Sequence, residues 1–527
     1  MYESINIEIE NIDHLGIIAG IVDEVGIVEI VNQKLPSYAT EKISKGLVVK
    51  AMILNALGFV SQPLYLFSEF FNDKAIEKLL GKEVKKEYLN DDKLGRSLDE
   101  LYEYGLSNLF IEIVIEVIKK YQIKSNYHHL DSTSFHVDGK YENEEEENRK
   151  TIKICHGYSK DNRPDLKQCV LNLIVSGDGE IPLWMKSGQG NQSDKKEFVK
   201  IVKEYKKSIE TESITVCDSA LYSQENIQLL GEMKWITRVP LTVKKGRELV
   251  ENEEILWTEI ENEQEQELKE RGYEWKVIKE NYGGINQRWL VVENKKRKES
   301  DLKKIKKAIP LEKEEVEKEK KKISRKLWCD NKECEREIKK KNKRFKYYEL
   351  EIEDIRKQEK GKYEVSVVVR EKEEEIEKKK NQAGRFILAT NVMEEERLKP
   401  WEILWEYKQQ QKVERGFRFL KNPLFFTESF YVKKVERLEG ILWLMSLSLL
   451  IYNLAQREMR KELKRRKVGL RNQLGKRTEK VTMRWIFQCF QGIYLAKINE
   501  EERIVNMNKD REEILEYLPA KCREYYQ

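Results

Sequence analysis

Tyr127-His128-His129-Leu130-Asp131-Ser132-Thr133-Ser134-Phe135-His136-Val137 alternates bulky residues with small or polar ones. A period of two is that of a half-buried β-strand. Asp131 sits inside it, where propensity disfavours aspartate and burial without a partner is costly. A metal ion is the partner that best rewards a carboxylate on a rigid strand. The plainer reading is an aspartate that bonds neighbouring backbone amides.

The chain downstream bears on that choice. Residues 151–158 and 169–176 read as further strands, the second closed by the turn Ser176-Gly177-Asp178-Gly179, and 181–185 continues the sheet. A glycine-rich loop at 187–191 leads to Ser193-Asp194, a helix start, and an amphipathic helix over 195–209. A short buried strand at 214–217 ends in Asp218; a helix at 223–230 and a strand at 235–239 follow. The order is three strands, helix, strand, helix, strand. Asp218 falls at the C-terminal edge of its strand, where α/β sheets present their sites. A helix returning a third carboxylate to that edge would complete a metal site.

Such a helix is found far along the chain. Within 401–421, Tyr407, Gln410, Glu414, Phe417 and Lys421 are spaced 3, 4, 3 and 4 apart and share one helix face. Leu404, Val413 and Leu420 form an apolar face beside it. A plain amphipathic helix is the competing reading. Residues 1–125 read as a domain of short helices. Residues 244–392 alternate Lys/Glu-rich helical runs with strand-like pieces and read as an insertion with its own structure. The charge run at 312–322 reads as a solvated helix face, with a nucleic-acid-binding face as the alternative. The most apolar run, Ile441 to Leu450 extending to Ala455, is shorter than a membrane span, and the helix over 435–455 that holds it reads as core. Residues 461–480 are basic, and 484–495 reads as one more helix.

Composition narrows the class. The chain has 527 residues, 37% of them charged, yet the net charge is only +5. Local distribution therefore matters more than the sum. The seven cysteines are scattered; Cys329 and Cys334 lack a second pair at zinc spacing, so free thiols in a reducing cytoplasm are expected. Glu3, Glu8 and Glu10 interrupt any signal peptide at the start.

With these motifs in order, the chain resembles the DDE transposases of bacterial insertion sequences. The helix stripe is similar to that group's Y-x2-R-x3-E-x6-K signature as Tyr407, Gln410, Glu414 and Lys421, with Gln410 where the signature has Arg. The first aspartate motif matches as Leu130-Asp131-Ser132-Thr133 and the second as Cys217-Asp218-Ser219-Ala220-Leu221-Tyr222. His156 to Gln168 resembles the subgroup's hallmark, and Gly190-Asn191-Gln192-Ser193-Asp194 its Gly-Asn-x-x-Asp loop. The likeness covers nearly the whole chain.

The resemblance implies an α/β fold: a ribonuclease-H-like mixed sheet flanked by helices, a helical N-terminal domain and an α+β insertion before the glutamate. The domains are then expected at 1–125, 126–243 with 393–460 as the catalytic core, 244–392 as the insertion, and 461–527 as a basic helical region. The implied activity is cleavage at transposon ends and strand transfer into target DNA. The implied cofactor is Mg²⁺ or Mn²⁺, two ions per site, bound by Asp131, Asp218 and Glu414. Double-stranded DNA is the expected partner, with a homodimer on DNA, a bacterial cytoplasmic location at the nucleoid and no membrane. Tyr407 and Lys421 are expected to contact phosphates near the cleaved end, with Gln410, Arg415 and Arg418 beside them on DNA.

The chemistry agrees with this ligand set. A phosphodiester repels nucleophiles through its own charge, and hard oxygen ligands favour Mg²⁺ over Zn²⁺. His128, His129, His136 and His156 are expected to be packed or surface residues. Trp235, Trp257, Trp275, Trp289 and Trp328 are candidate stacking partners for a flipped base. Two other functions fit parts of the sequence: a ribonuclease-H-like nuclease without strand transfer, and a non-catalytic nucleic-acid-binding scaffold. The scaffold requires the three carboxylates to lie far apart.

Overall fold

The computed structural model describes the chain except residues 1–6, 39, 60–61, 64–65, 125, 138–140, 142–150, 160–162, 210–211, 253–254, 259–262, 358–361, 423–431 and 500. The acidic loop at 142–147 and part of the segment after His156 lie outside the described residues. Two units divide the chain: Met1–Lys234 with Glu406–Gln527, and Trp235–Trp405.

The first unit is a mixed α/β assembly. Its sheet takes the strands Tyr127–His136, Gln168–Ser176, Pro182–Gly188 and Ile214–Val216 in the spatial order third, second, first, fourth. The first three are antiparallel neighbours, and the fourth runs parallel to the first. That mixture is the ribonuclease-H-like start that the family resemblance implies.

The second unit holds four antiparallel strands in the order Trp235–Val239, Arg385–Thr390, Ile285–Asn294 and Tyr273–Tyr282. It also has the hairpin Tyr348–Lys357 with Tyr363–Glu371. The helix Lys295–Arg325 runs beside this hairpin and buries only Val316 and Ile323. Most of its charges are solvated, as the Lys/Glu run suggested, but Glu312 accepts from the Tyr347 amide and Glu319 pairs with Lys341.

The long helix Val435–Arg466 carries the apolar run. By length and composition it would cross a membrane, but 94% of its apolar window is buried inside the protein. It is a core helix and extends beyond 455 to take in the first basic residues.

Four expectations need correction. Residues 151–158 do not form a strand; only the isolated bridge Cys155↔Gln168 is made there. This segment instead lies against the loop at 188–192 so closely that a Cβ on Gly157 would come within 2.0 Å of the Gly190 carbonyl. The third strand is Pro182–Gly188. Residues 1–125 are not wholly helical, because Ile7–Asn11 pairs with Tyr494–Ile498, which pairs in turn with Glu501–Val505. For the same reason the helix expected at 484–495 stops early, as Met483–Cys489. The C-terminal helix Ala520–Glu524 packs on Leu15–Val25, where a Cβ on Gly20 would lie 2.4 Å from the Cys522 Cα. The fourth concerns the 401–421 helix, which is broken at Gln410.

Candidate active site

Strand pairing places the two aspartates on neighbouring stretches of chain. In the parallel pair, His129 lies opposite Val216. Two residues onward lie Asp131, still within its strand, and Asp218, just past the end of its own. Each is fixed by local backbone. Asp131 Oδ1 accepts from the Ser132 amide at 2.8 Å, and Asp218 Oδ1 accepts from the Ala220 amide at 2.8 Å, capping the short turn Ser219–Leu221. The plain reading of Asp131 as a residue bonding local amides is therefore correct as far as it goes. Beneath them Cys217 is fully buried, and its thiol is pushed well up by burial, then by the charges of Asp218 and Asp131.

Glu414 enters from the helix Gln411–Leu420, in its first turn. The helix is seated by Val413, Phe417 and Leu420, all buried. Each such side chain contributes about 1.5–3 kcal/mol on removal from water. With that face down, Glu414 is exposed. One cleft of about 560 Å³ is lined by Asp131, Asp218, Glu414, Tyr407 and Lys421, together with Gln410, Phe417 and Arg418. All five residues of the stripe reach it. Lys421 Nζ sits over the Phe135 ring, 5.5 Å from its centroid, at the far end of the Asp131 strand.

The helix is not continuous. Pro400–Gln409 ends and Gln411–Leu420 begins at Gln410. The Gln410 side chain is buried, and its amide nitrogen donates to the Leu130 carbonyl at 2.8 Å. This donor is used inside the protein, holding the stripe to the residue before Asp131. Arg415 also turns elsewhere and pairs with Glu180 at 3.0 Å. Arg418 stays exposed at the cleft.

The histidines are packed or peripheral. His128 accepts from or donates to Ser213 Oγ at 2.7 Å, and burial lowers its pKa to about 3. His129 is fully buried with Nε2 3.4 Å from Glu406. His136 meets Ser159, and His156 is exposed. The base-stacking expectation fails for Trp235, Trp275, Trp289 and Trp328, each at most 3% exposed. Trp257 carries the Arg385 guanidinium on its ring.

Two acids near the sheet were not among the site residues expected from sequence. Asp194, the first residue of the helix Asp194–Ser208, accepts from Ser132 Oγ at 2.8 Å and so braces the neighbour of Asp131. Its signal was present in the Gly-Asn-x-x-Asp loop. Glu439 on the long helix is buried, accepts from Ser187 Oγ and the Ile152 amide, and has its pKa raised by burial. It ties the 152 segment to the sheet.

The donor set of the cleft is three hard carboxylates, which suits Mg²⁺ or Mn²⁺. Among the described residues no three His, Cys, Asp or Glu side chains are already drawn together to metal-holding distance. The acids share a cleft without being closed on one point.

Comparison with known proteins follows the same lines. A family model described as "Transposase DDE domain" matches residues 129–454, and one described as a domain of unknown function matches residues 7–115. No curated protein matches. Among solved structures, the piggyBac transposase synaptic complex with hairpin DNA aligns over 96% of this chain and 84% of that one, at 10% identity and a TM-score of 0.35. A likeness so slight carries no argument.

Proposed function

We propose that this chain, which belongs to the DDE transposase family and is thus a DNA transposase, holds its divalent metal through Asp131, Asp218 and Glu414. One observation carries the reading: acids from a strand, from the turn just past the end of its parallel neighbour and from a distant helix line a single cleft with Tyr407 and Lys421. Oxygen donors of this kind fit two Mg²⁺ or Mn²⁺ ions per site. When bound, such ions activate the attacking oxygen and offset charge on the scissile phosphate.

The chain's own residues supply the rest. Lys421 and Arg418 offer positive charge to phosphates entering the cleft. Tyr407 offers a hydroxyl to a phosphate or a ring to a base. Gln410 keeps the glutamate helix against the Asp131 strand. The DNA is a transposon end in the cleavage step and target duplex in the transfer step. We further infer an insertion-sequence element and a homodimer, since two ends must be paired.

The test is incubation of the protein with the DNA flanking its own gene and Mg²⁺, with products mapped to the nucleotide. Cuts at the element's ends, and joining of those ends to plasmid DNA, are expected. Asp218→Asn and Glu414→Gln should keep folding and DNA binding while cleavage falls by about 10³-fold or more, since each removes a metal ligand. Cleavage retained in either variant would overturn the ligand assignment. Cutting without joining would reduce the activity to that of a nuclease.

A further inference from the structure

Positive charge is gathered at a place that the cleft does not use. Residues 461–480 carry nine basic and two acidic side chains, net +7; the whole chain carries +5, so the rest sums to −2. Glu462 is engaged by Arg465 and Arg466, both at 2.6 Å. Lys461, Lys464 and Lys467 at the end of the long helix are exposed, as are Arg471, Lys476 and Lys480. Among the described residues none of these six side chains has an acidic partner within 4 Å.

The helix C-terminus accounts for part of this, since basic residues there complement its dipole. It does not account for the hairpin that follows. Leu470–Arg471 pairs with Arg477–Thr478, and Arg471 stands directly opposite Arg477. Like charges at that position oppose pairing. The hairpin is nonetheless held firmly. Asn472 closes its turn through Lys476 and Gly475, and Trp485 Nε1 donates to the Arg471 carbonyl at 2.8 Å. Leu474 stands 81% exposed at the tip. Arg477 reaches Glu513 at 3.7 Å, but Arg471, Lys476 and Lys480 present their charge to solvent, and a firmly held ribbon that does so fits a polyanionic ligand.

We propose that this hairpin and the adjoining helix end form a second DNA surface, which grips the phosphate backbone of duplex outside the active-site cleft. The proposal rests on the reading of the chain as a DNA transposase, and its partner is duplex DNA read without regard to sequence. Phosphate contacts release counterions, so they show in the salt dependence of binding.

The experiment is fluorescence anisotropy of the full chain with a labelled random-sequence duplex across a salt series. The probes are the unsubstituted protein, Glu414→Gln, and a variant combining Lys464→Gln, Lys467→Gln, Arg471→Gln and Lys476→Gln. The fourfold variant should lose about 3 to 4 from the slope of log affinity against log salt, and about tenfold or more in affinity. Glu414→Gln removes no cation and should keep the salt slope of the unsubstituted protein, which separates this surface from the metal site whether or not cleavage is seen. Lys464→Gln with Lys467→Gln alone leaves the hairpin intact and should lose about half as much slope. An unchanged slope in these variants would overturn the proposal. So would equal affinity of the unsubstituted protein for poly-glutamate, which would point to an acidic protein instead.

Discussion

Glu293 and Glu414 show how the two units treat charge. Glu293, in the unit Trp235–Trp405, is buried and bonded to Arg385 at 2.8 Å, with both side chains 6% exposed. Arg385 also donates to the Val250 and Asn252 carbonyls. That charge is closed within the fold. Glu414, in the other unit, is exposed in a cleft shared with two aspartates and has no ion-pair partner among the described residues. One carboxylate is spent on structure; the other is presented. The lesson is that an acid signals chemistry when its surroundings leave it directed at a space, not when it is merely buried.

The sharpest way to break the contrast is Arg385→Ala. It removes one of the two cations on Glu293, leaving Lys298 at 3.0 Å, and should cost about 2–3 kcal/mol through the lost charge-assisted hydrogen bond. Denaturant unfolding reads that loss, and a cost below about 1 kcal/mol would show that the pair is not closed as described.

Next in size is the acid sensitivity of the cleft-bearing unit, where His128 and His14 are buried. Burial lowers their pKa values to about 3 and about 4. Below the ordinary histidine range, near 6.5, the unfolded chain takes up protons that the folded chain refuses. Stability is therefore fully present above about pH 6.5 and is lost as pH falls toward 4. One such histidine accounts for about 2 kcal/mol between pH 6.5 and 5. His128→Gln should flatten that part of the profile, and an unaltered profile by urea melts at pH 7 and 5 would refute the cause.

The smallest effect on stability belongs to Gln410→Ala. Loss of its bond to the buried Leu130 carbonyl should cost about 1–2 kcal/mol. Its signature is kinetic: the cleavage rate falls about tenfold while affinity for DNA holds, because the glutamate helix is loosened and no phosphate contact is lost. Weakened DNA binding with an unchanged cleavage rate would restore Gln410 to the DNA face.

Much of the catalytic unit was legible in the sequence. The period of two around Asp131, the strand that ends before Asp218 and the 3-4-3-4 spacing from Tyr407 to Lys421 all express local geometry. The residues they place on one face do line one cleft. What escaped depended on distant partners. Ile7-Glu8-Ile9-Glu10 alternates like a strand, but its pairing partner lies near residue 496. The segment at 151–158 has strand-like residues, yet its close approach to Gly190 is set by tertiary packing. The break at Gln410 has no proline to announce it; it accompanies a side-chain bond to a strand 280 residues earlier. The tryptophans could not be sorted into core and surface without the sheets that cover them.

The central claim is that three carboxylates distant in sequence hold the metal. Binding of Mn²⁺, followed by the loss of its free paramagnetic signal, tests this without any DNA. The account expects binding by the unsubstituted protein, clear weakening in Asp131→Asn, Asp218→Asn and Glu414→Gln alike, and no change in a folded Glu299→Gln surface control. Mn²⁺ affinity that survives all three substitutions would contradict it.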